Sequence, residues 1–279
     1  MRPEIVILAG VIVVLIGVAV GMVRKVEAHT DLSLREERVK PGLFETVVSV
    51  LLWPFALVAF VVSMVVLIPL MFLFPPRYLH PLVRFFSRYI LLSSGTVLRV
   101  KGKHRLKRPE GYILMPNHQS ILDVFILGAV VYRYMTGLGA AYQFKLPFWG
   151  TVLRRWGIIP IPRKNLKKAI ESIDMAREKL KRGIPVMVAP EGTRTVDGRI
   201  GEFKKGPFHL SLQSRADIIP MLIQGAYEVK PMMDWRLRPG VVRVEIGDVI
   251  PYEEYRGMSV EELRNHVRDR LRKMAGEIP

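Results

Sequence analysis

His118 and Asp123 stand five positions apart in the run PNHQSILD, residues 116–123, with apolar chain on either side. One is a titratable ring and the other a carboxylate. An acid that accepts a hydrogen bond from one ring nitrogen fixes the tautomer. It also supports the charge that develops when the other nitrogen takes a proton. Five helical steps turn the chain by about 140°, so the two side chains meet only if His118 lies in a loop and Asp123 in the first turn of a following helix. A purely structural reading of the same residues stands beside this one. Ser120 and Asp123 have capping-box spacing, and an acid is favourable near a helix N-terminus on dipole grounds. The chain has no cysteine and no Gly-x-Ser-x-Gly elbow, so no protein nucleophile is evident. A histidine–aspartate pair without one suggests that the substrate supplies the hydroxyl, in direct acyl transfer. Backbone N–H groups near a helix starting at Ser120 would be the candidates for stabilising an oxyanion.

A second constellation, APEGTRTVDGRIGEFKKG, occupies residues 189–206. Arg194 can grip a phosphate bidentately, and Lys204 and Lys205 add charge nearby. Four glycines in this stretch let the backbone approach a ligand. No Gly-Lys-Ser/Thr follows, so it is not a P-loop. A solvated surface turn is the plain alternative. A third stretch, residues 145–165, mixes apolar bulk with Arg154, Arg155, Arg163 and Lys164.

The elements that must position these residues show as alternation. Apolar, β-rich runs occur at 96–102, 111–116, 157–162, 184–190, 217–224 and 240–250. Helical patterns occur at 120–132, 164–182, 207–214 and 259–275, the second with Ile170, Ile173 and Leu180 on one stripe. Ser259 and Glu262 carry a capping-box signature. The pattern predicts an α/β domain with a mostly parallel mixed sheet flanked by helices. Both constellations would then lie at the carboxyl ends of strands, where open α/β sheets place their sites.

Two uncharged segments precede that domain. Residues 5–23 are long enough to cross a bilayer core, and Arg24-Lys25 replace a signal cleavage site. Residues 46–76 contain Pro54 and Pro69, which would bend them into one tilted span or a pair of shorter helices. The resulting organisation is an N-terminal membrane helix and polar linker over 1–45, a second membrane-associated helical segment over 46–94, and the α/β domain over 95–279. Half of the residues are hydrophobic and the formal net charge is +17. Greasy and basic together point to a membrane carrying phosphate headgroups, with nucleic acid the usual alternative for a basic chain. The lack of cysteine excludes disulfides and thiolate metal sites.

In their order and spacing these stretches resemble the glycerolipid acyltransferase family, in particular its bacterial 1-acyl-sn-glycerol-3-phosphate acyltransferases. NHQSILD resembles the family's His-x4-Asp block. KLPFWG…GIIPIPR, ending on Arg163, resembles its second block, PEGTR its third, and DIIPM, centred on Pro220, its fourth. The resemblance covers about residues 95–250. It implies a catalytic His118 as general base with Asp123 as its partner. It also implies that Arg163, Glu191, Gly192 and Arg194 hold the glycerol phosphate. Asn117, Ser120, Thr193, Lys204 and Lys205 complete the candidate binding set. The implied reaction moves a fatty acyl group from acyl-CoA or acyl-ACP to the 2-hydroxyl of lysophosphatidate, giving phosphatidate, a step of phospholipid biosynthesis. Neither metal nor cofactor is expected, and the implied place is the cell membrane with the catalytic domain on its cytoplasmic face. Residues 140–144, AAYQF, depart from the lysine-rich element common before the second block, and Ala189 from the usual aromatic residue before the third. Two alternatives stay open. One is a different acceptor, such as glycerol 3-phosphate, another lysophospholipid or an aminolipid. The other is a non-enzymatic module that binds anionic lipid or nucleic acid, whereas the enzyme reading takes no nucleic-acid partner.

Overall fold

A computed structural model describes residues 42–162 and 165–279. The first apolar run, residues 5–23, and Arg163 therefore lie outside the described residues. The described residues begin with a hairpin of α1 (Leu43–Leu73) and α2 (Pro76–Ser93). The elements β1 (Thr96–Lys101), β2 (Ile113–Pro116), α3 (Asp123–Val130), β3 (Thr136–Ala140), α4 (Trp149–Trp156), β4 (Ile159–Ile161) and α5 (Leu166–Lys181) follow. The remainder is β5 (Val186–Met187), α6 (Gly206–Ser214), β6 (Ile218–Gln224), α7 (Ala226–Val229), β7 (Gly240–Ile246), α8 (Tyr252–Tyr255) and α9 (Val260–Met274).

The strands form one seven-stranded sheet in the order β1-β7-β6-β2-β5-β3-β4. Neighbours run parallel except β6 and β7, which pair antiparallel. Alternate side chains feed two cores, as strand geometry requires. Ile113, Met115, Ile218 and Leu222 pack with Ile173, Phe208, Leu263 and Val267 from α5, α6 and α9. Tyr112, Leu114, Ile219 and Met221 face the other way, toward Ile126 and Val130 of α3 and Leu91 of α2. Both faces are thus covered, and β2 is buried at every residue.

The six apolar runs read as strands all form strands, and the Ser259–Glu262 capping box is present at the start of α9. Three features differ from the sequence reading. β3 is extra: its run, TGLGA, has too few apolar side chains to announce a strand. Its glycines answer close approach instead, since a Cβ on Gly137 would lie 3.0 Å from the Met187 carbonyl oxygen. The stretch after residue 145 contains a helix, α4, hidden by the glycine and arginines within it. On α5, Ile173 and Leu180 are buried at 8% and 7% exposure, whereas Ile170 is 54% exposed and lies off the stripe.

α1 runs unbroken through Pro54 and Pro69 for 31 residues. The two prolines, each lacking a backbone donor, therefore do not divide it. Its inward face begins with small residues, Ser49, Ala56, Ala59 and Ser63, and ends with Leu67 and Met71 against Leu79 and Phe86 of α2. Phe60 meets Phe125 of α3 edge-on at 6.2 Å. Near its start the helix is bolted to the segment before β7. Ser49 Oγ donates to the Leu237 carbonyl at 2.9 Å and accepts from its N–H at 3.0 Å. Trp53 Nε1 donates to the Trp235 carbonyl at 2.9 Å. The outward face leaves Leu43, Phe44, Val50, Leu51 and Phe55 exposed, and α2 adds Tyr78, Phe85 and Leu92.

The α2–α3 contact depends on Gly128. A Cβ there would run into the Ser87 hydroxyl and lie 3.2 Å from Ser87 Cβ. Alanine is the better helix former, yet Gly128→Ala is expected to lower stability by about 1–3 kcal/mol through overpacking, read in denaturant unfolding. Adding Ser87→Ala should recover most of the loss.

Candidate active site

β2 and β5 are parallel neighbours, with Ile113 opposite Val186 and Leu114 opposite Met187. The loops leaving their carboxyl ends, which carry His118 and Glu191–Arg194, therefore emerge side by side. Asn117 extends the β2–β6 ladder with its side chain. Its Nδ2 donates to the Ile223 carbonyl at 2.9 Å and its Oδ1 accepts from the Ile223 N–H at 2.7 Å. Ser120 is fully buried, donates to the Lys230 carbonyl at 2.8 Å and accepts from the Leu122 N–H at 3.3 Å. Both side chains are committed to the scaffold. Ser120 is not the N-cap expected of it, because α3 starts at Asp123 with Leu122 in the capping position and no side-chain cap.

The reason is the Asp123 carboxylate, which folds back over the loop. Its Oδ2 receives His118 Nδ1 at 2.7 Å, the Gln119 N–H at 2.7 Å and the Ser120 N–H at 3.1 Å. An oxygen already accepting two N–H donors also accepts from the ring, which assigns the proton to Nδ1 and leaves Nε2 as a base. The Asp123 side chain is 4% exposed and that of His118 32%, so the acid is sealed while the ring reaches solvent. Asp123 Oδ1 is buried without a hydrogen-bond partner. The N–H groups of Gln119, Ser120 and Leu122 are all engaged here. Those three N–H groups are therefore committed to the turn itself.

The second loop grips the same histidine by its backbone. The His118 N–H donates to Glu191 Oε1 at 3.0 Å, and the Thr195 N–H donates to the His118 carbonyl at 2.8 Å. Gln119 adds a bond from its amide to the Gly198 carbonyl at 3.2 Å. Glu191 is 4% exposed, so it stands behind His118 as a brace. Burial pushes its carboxyl up to about 7, against the opposing pull of the His118 and Gly201 N–H groups. Gly192, at φ 69°, turns the chain in the left-handed region. Beyond it Thr193 is exposed and Arg194 half-buried. Lys204 lies beside Gly192, where an added Cβ would touch its Cγ at 3.4 Å. Lys205 instead pairs with Glu261 on α9 at 2.5 Å.

Sequence reasoning missed Lys230, which no motif announces. Its ammonium donates to the Pro231 and Asp234 carbonyls at 2.9 and 2.5 Å. Burial, and then the like charge of Arg194, hold its pKa below the usual lysine range. Arg194 thus lies within electrostatic reach of a second buried cation, a setting that favours an anionic ligand. Among the described residues no three His, Asp or Glu side chains are grouped to hold a metal ion. An apolar cavity of about 150 Å³ is bounded by Val124, Phe125 and Gly128 of α3 and by side chains of α1, α2 and α4.

In sequence and fold the chain is similar to known acyltransferases. The family model described as Acyltransferase matches residues 97–224. The chain is 26% identical over 255 residues to the chloroplastic 1-acyl-sn-glycerol-3-phosphate acyltransferase LPAT1 of Arabidopsis thaliana, covering 88% of this chain and 68% of that one. It is 29% identical over 192 residues to the 1-acyl-sn-glycerol-3-phosphate acyltransferase of Saccharomyces cerevisiae, covering 67% and 63%. In fold it is similar to the crystal structure of the 1-acyl-sn-glycerophosphate acyltransferase PlsC from Thermotoga maritima, with a TM-score of 0.73 at 22% identity over 84% of this chain and 97% of that one. Both motif loops lie inside residues 97–224, the span that the Acyltransferase family model matches.

Proposed function

We propose that the chain is a membrane-bound acyltransferase that moves a fatty acyl group from a thioester of coenzyme A or acyl carrier protein to the 2-hydroxyl of lysophosphatidate, giving phosphatidate. The observation that carries this reading is the 2.7 Å contact of His118 Nδ1 with Asp123, on a loop held to the arginine-bearing turn through the His118 backbone. Nε2 removes the proton from the acceptor hydroxyl. The oxygen attacks the thioester carbonyl, and a tetrahedral intermediate forms. The C–S bond then breaks, and the departing thiolate takes the proton back from the imidazolium. Asp123 orients the ring and supports its charge throughout. Arg194, with Lys204 beside the same turn, holds the phosphate.

The acceptor follows from the names of the relatives, which are 1-acyl-sn-glycerol-3-phosphate acyltransferases. The apolar cavity bounded by α3 and by side chains of α1, α2 and α4 suits an acyl chain. The membrane reading is supported by the exposed apolar face of α1, which is long and apolar enough to cross a bilayer, and by the exposed side chains of α2. On this reading the catalytic domain lies on the cytoplasmic face of the cell membrane.

His118→Ala is expected to cut acyl transfer to lysophosphatidate by about 10²- to 10⁴-fold while leaving the unfolding transition in place. Turnover near that of the unchanged protein would end the assignment. Arg194→Ala should raise KM for the phosphate-bearing acceptor by about tenfold or more with little change in KM for the acyl donor. Glu191 supplies a pH dependence. Its folded value near 7 exceeds the ordinary 4.5, so the folded state holds the proton more tightly. The stabilisation is full below the unfolded value and is lost as pH rises through 7, by up to ~3 kcal/mol. Denaturant unfolding at a series of pH values should show this decline, and Glu191→Gln should flatten it. An unchanged slope in the variant would assign the pH dependence elsewhere.

A further inference from the structure

At the amino ends of β2, β3 and β5, opposite the catalytic loops, a cleft of about 510 Å³ opens to solvent. Its walls include Arg77 and His80 of α2, Tyr132 and Arg133 before β3, and Arg182 and Gly183 before β5. Among the described residues no carboxylate lines it. His80 and Arg133 also line the apolar cavity bounded by α3, so the basic cleft and that cavity share a wall.

The wall is polar but incompletely satisfied. His80 is 7% exposed and hydrogen-bonds the Val131 backbone, yet its Nε2 has no partner. Arg133 is fixed across the mouth by bonds from its terminal nitrogens to the carbonyls of Pro109 at 3.2 Å, Glu110 at 2.5 Å and Gly183 at 3.3 Å, while its Nε is buried and unpartnered. A buried polar atom without a partner is costly. Here two such atoms stand where a cationic cleft meets an apolar void. A ligand with an acidic head and a hydrocarbon tail would satisfy both sides at once.

We propose that this shared wall is a second binding site, for an anionic single-chain amphiphile. Its acidic head, a fatty-acid carboxyl or a phosphate monoester, lies in the cleft at His80, Arg133 and Arg182. Its tail enters the apolar cavity between α1, α2, α3 and α4. The arginines take the charged oxygens, and the proton of a carboxylic acid or monohydrogen phosphate is shared with His80 Nε2. On the acyltransferase reading, an occupant would compete with the acyl chain of the donor, so a free acid or single-chain product would restrain the enzyme from the far end of its own cavity.

Trp149 and Trp156 line the cavity and report on its occupancy. The full-length protein in detergent is titrated with palmitate, hexadecyl phosphate and the uncharged hexadecanol, following tryptophan fluorescence without any acyl donor. Binding is then read separately from turnover, so failure here leaves the catalytic assignment standing. A single saturable site is expected for at least one charged probe, about tenfold or more tighter than for hexadecanol, and the tighter of the two charged probes identifies the head. Arg182→Gln, at an exposed position, and His80→Leu should each weaken the charged probe by about tenfold. Equal affinity for hexadecanol, or a charged-probe affinity unmoved by Arg182→Gln, would overturn the proposal.

Discussion

One carboxylate oxygen organises the catalytic end of this molecule. Asp123 Oδ2 collects a ring nitrogen and two consecutive backbone N–H groups. Those N–H groups are buried in a turn too tight to pair with a neighbouring strand, and without an acceptor each would carry an unmet desolvation cost. The same oxygen therefore decides the path of the turn, the starting point of α3 and the orientation of the imidazole. Shape and chemistry share a single constraint. The acid can be sealed at 4% exposure while the ring it holds stays accessible.

Around that oxygen, parallel pairing of β2 with β5 brings together two loops that are 73 residues apart in the chain. The pairing sets their proximity, and the His118 backbone sets their registry, donating to Glu191 and accepting from Thr195. A buried glutamate behind His118 costs solvation energy, which is why its carboxyl is pushed up. The bonds it makes fix the turn on which Arg194 is presented, so His118 and Arg194 are positioned by one set of bonds.

Much of this was legible in the sequence because it rests on residue type and period. The β-rich runs announced six strands, Ser259 and Glu262 announced the start of α9, and the His118–Asp123 spacing announced a loop-to-helix junction. The rest depended on tertiary partners. Asn117 and Ser120 have the chemistry of ligand-binding residues, but Ile223 and Lys230, more than a hundred positions away, take up that chemistry. Lys205 looks like its neighbour Lys204 until Glu261 is in place. The strand TGLGA is specified by how closely Met187 approaches, which no pattern within those five residues records. Pro54 and Pro69 carry the local signal of a break, and packing along α1 overrides it.

The fastening of α1 has a mechanical consequence. Ser49 and Trp53 clamp residues 235–237, the adjoining Asp234 carbonyl takes the ammonium of Lys230, and the Lys230 carbonyl holds Ser120 two residues from the imidazole. The first described helix is a strut in the catalytic frame and not a leash on which the enzyme floats. A force on this helix bears on the same girders that keep the imidazole in aim.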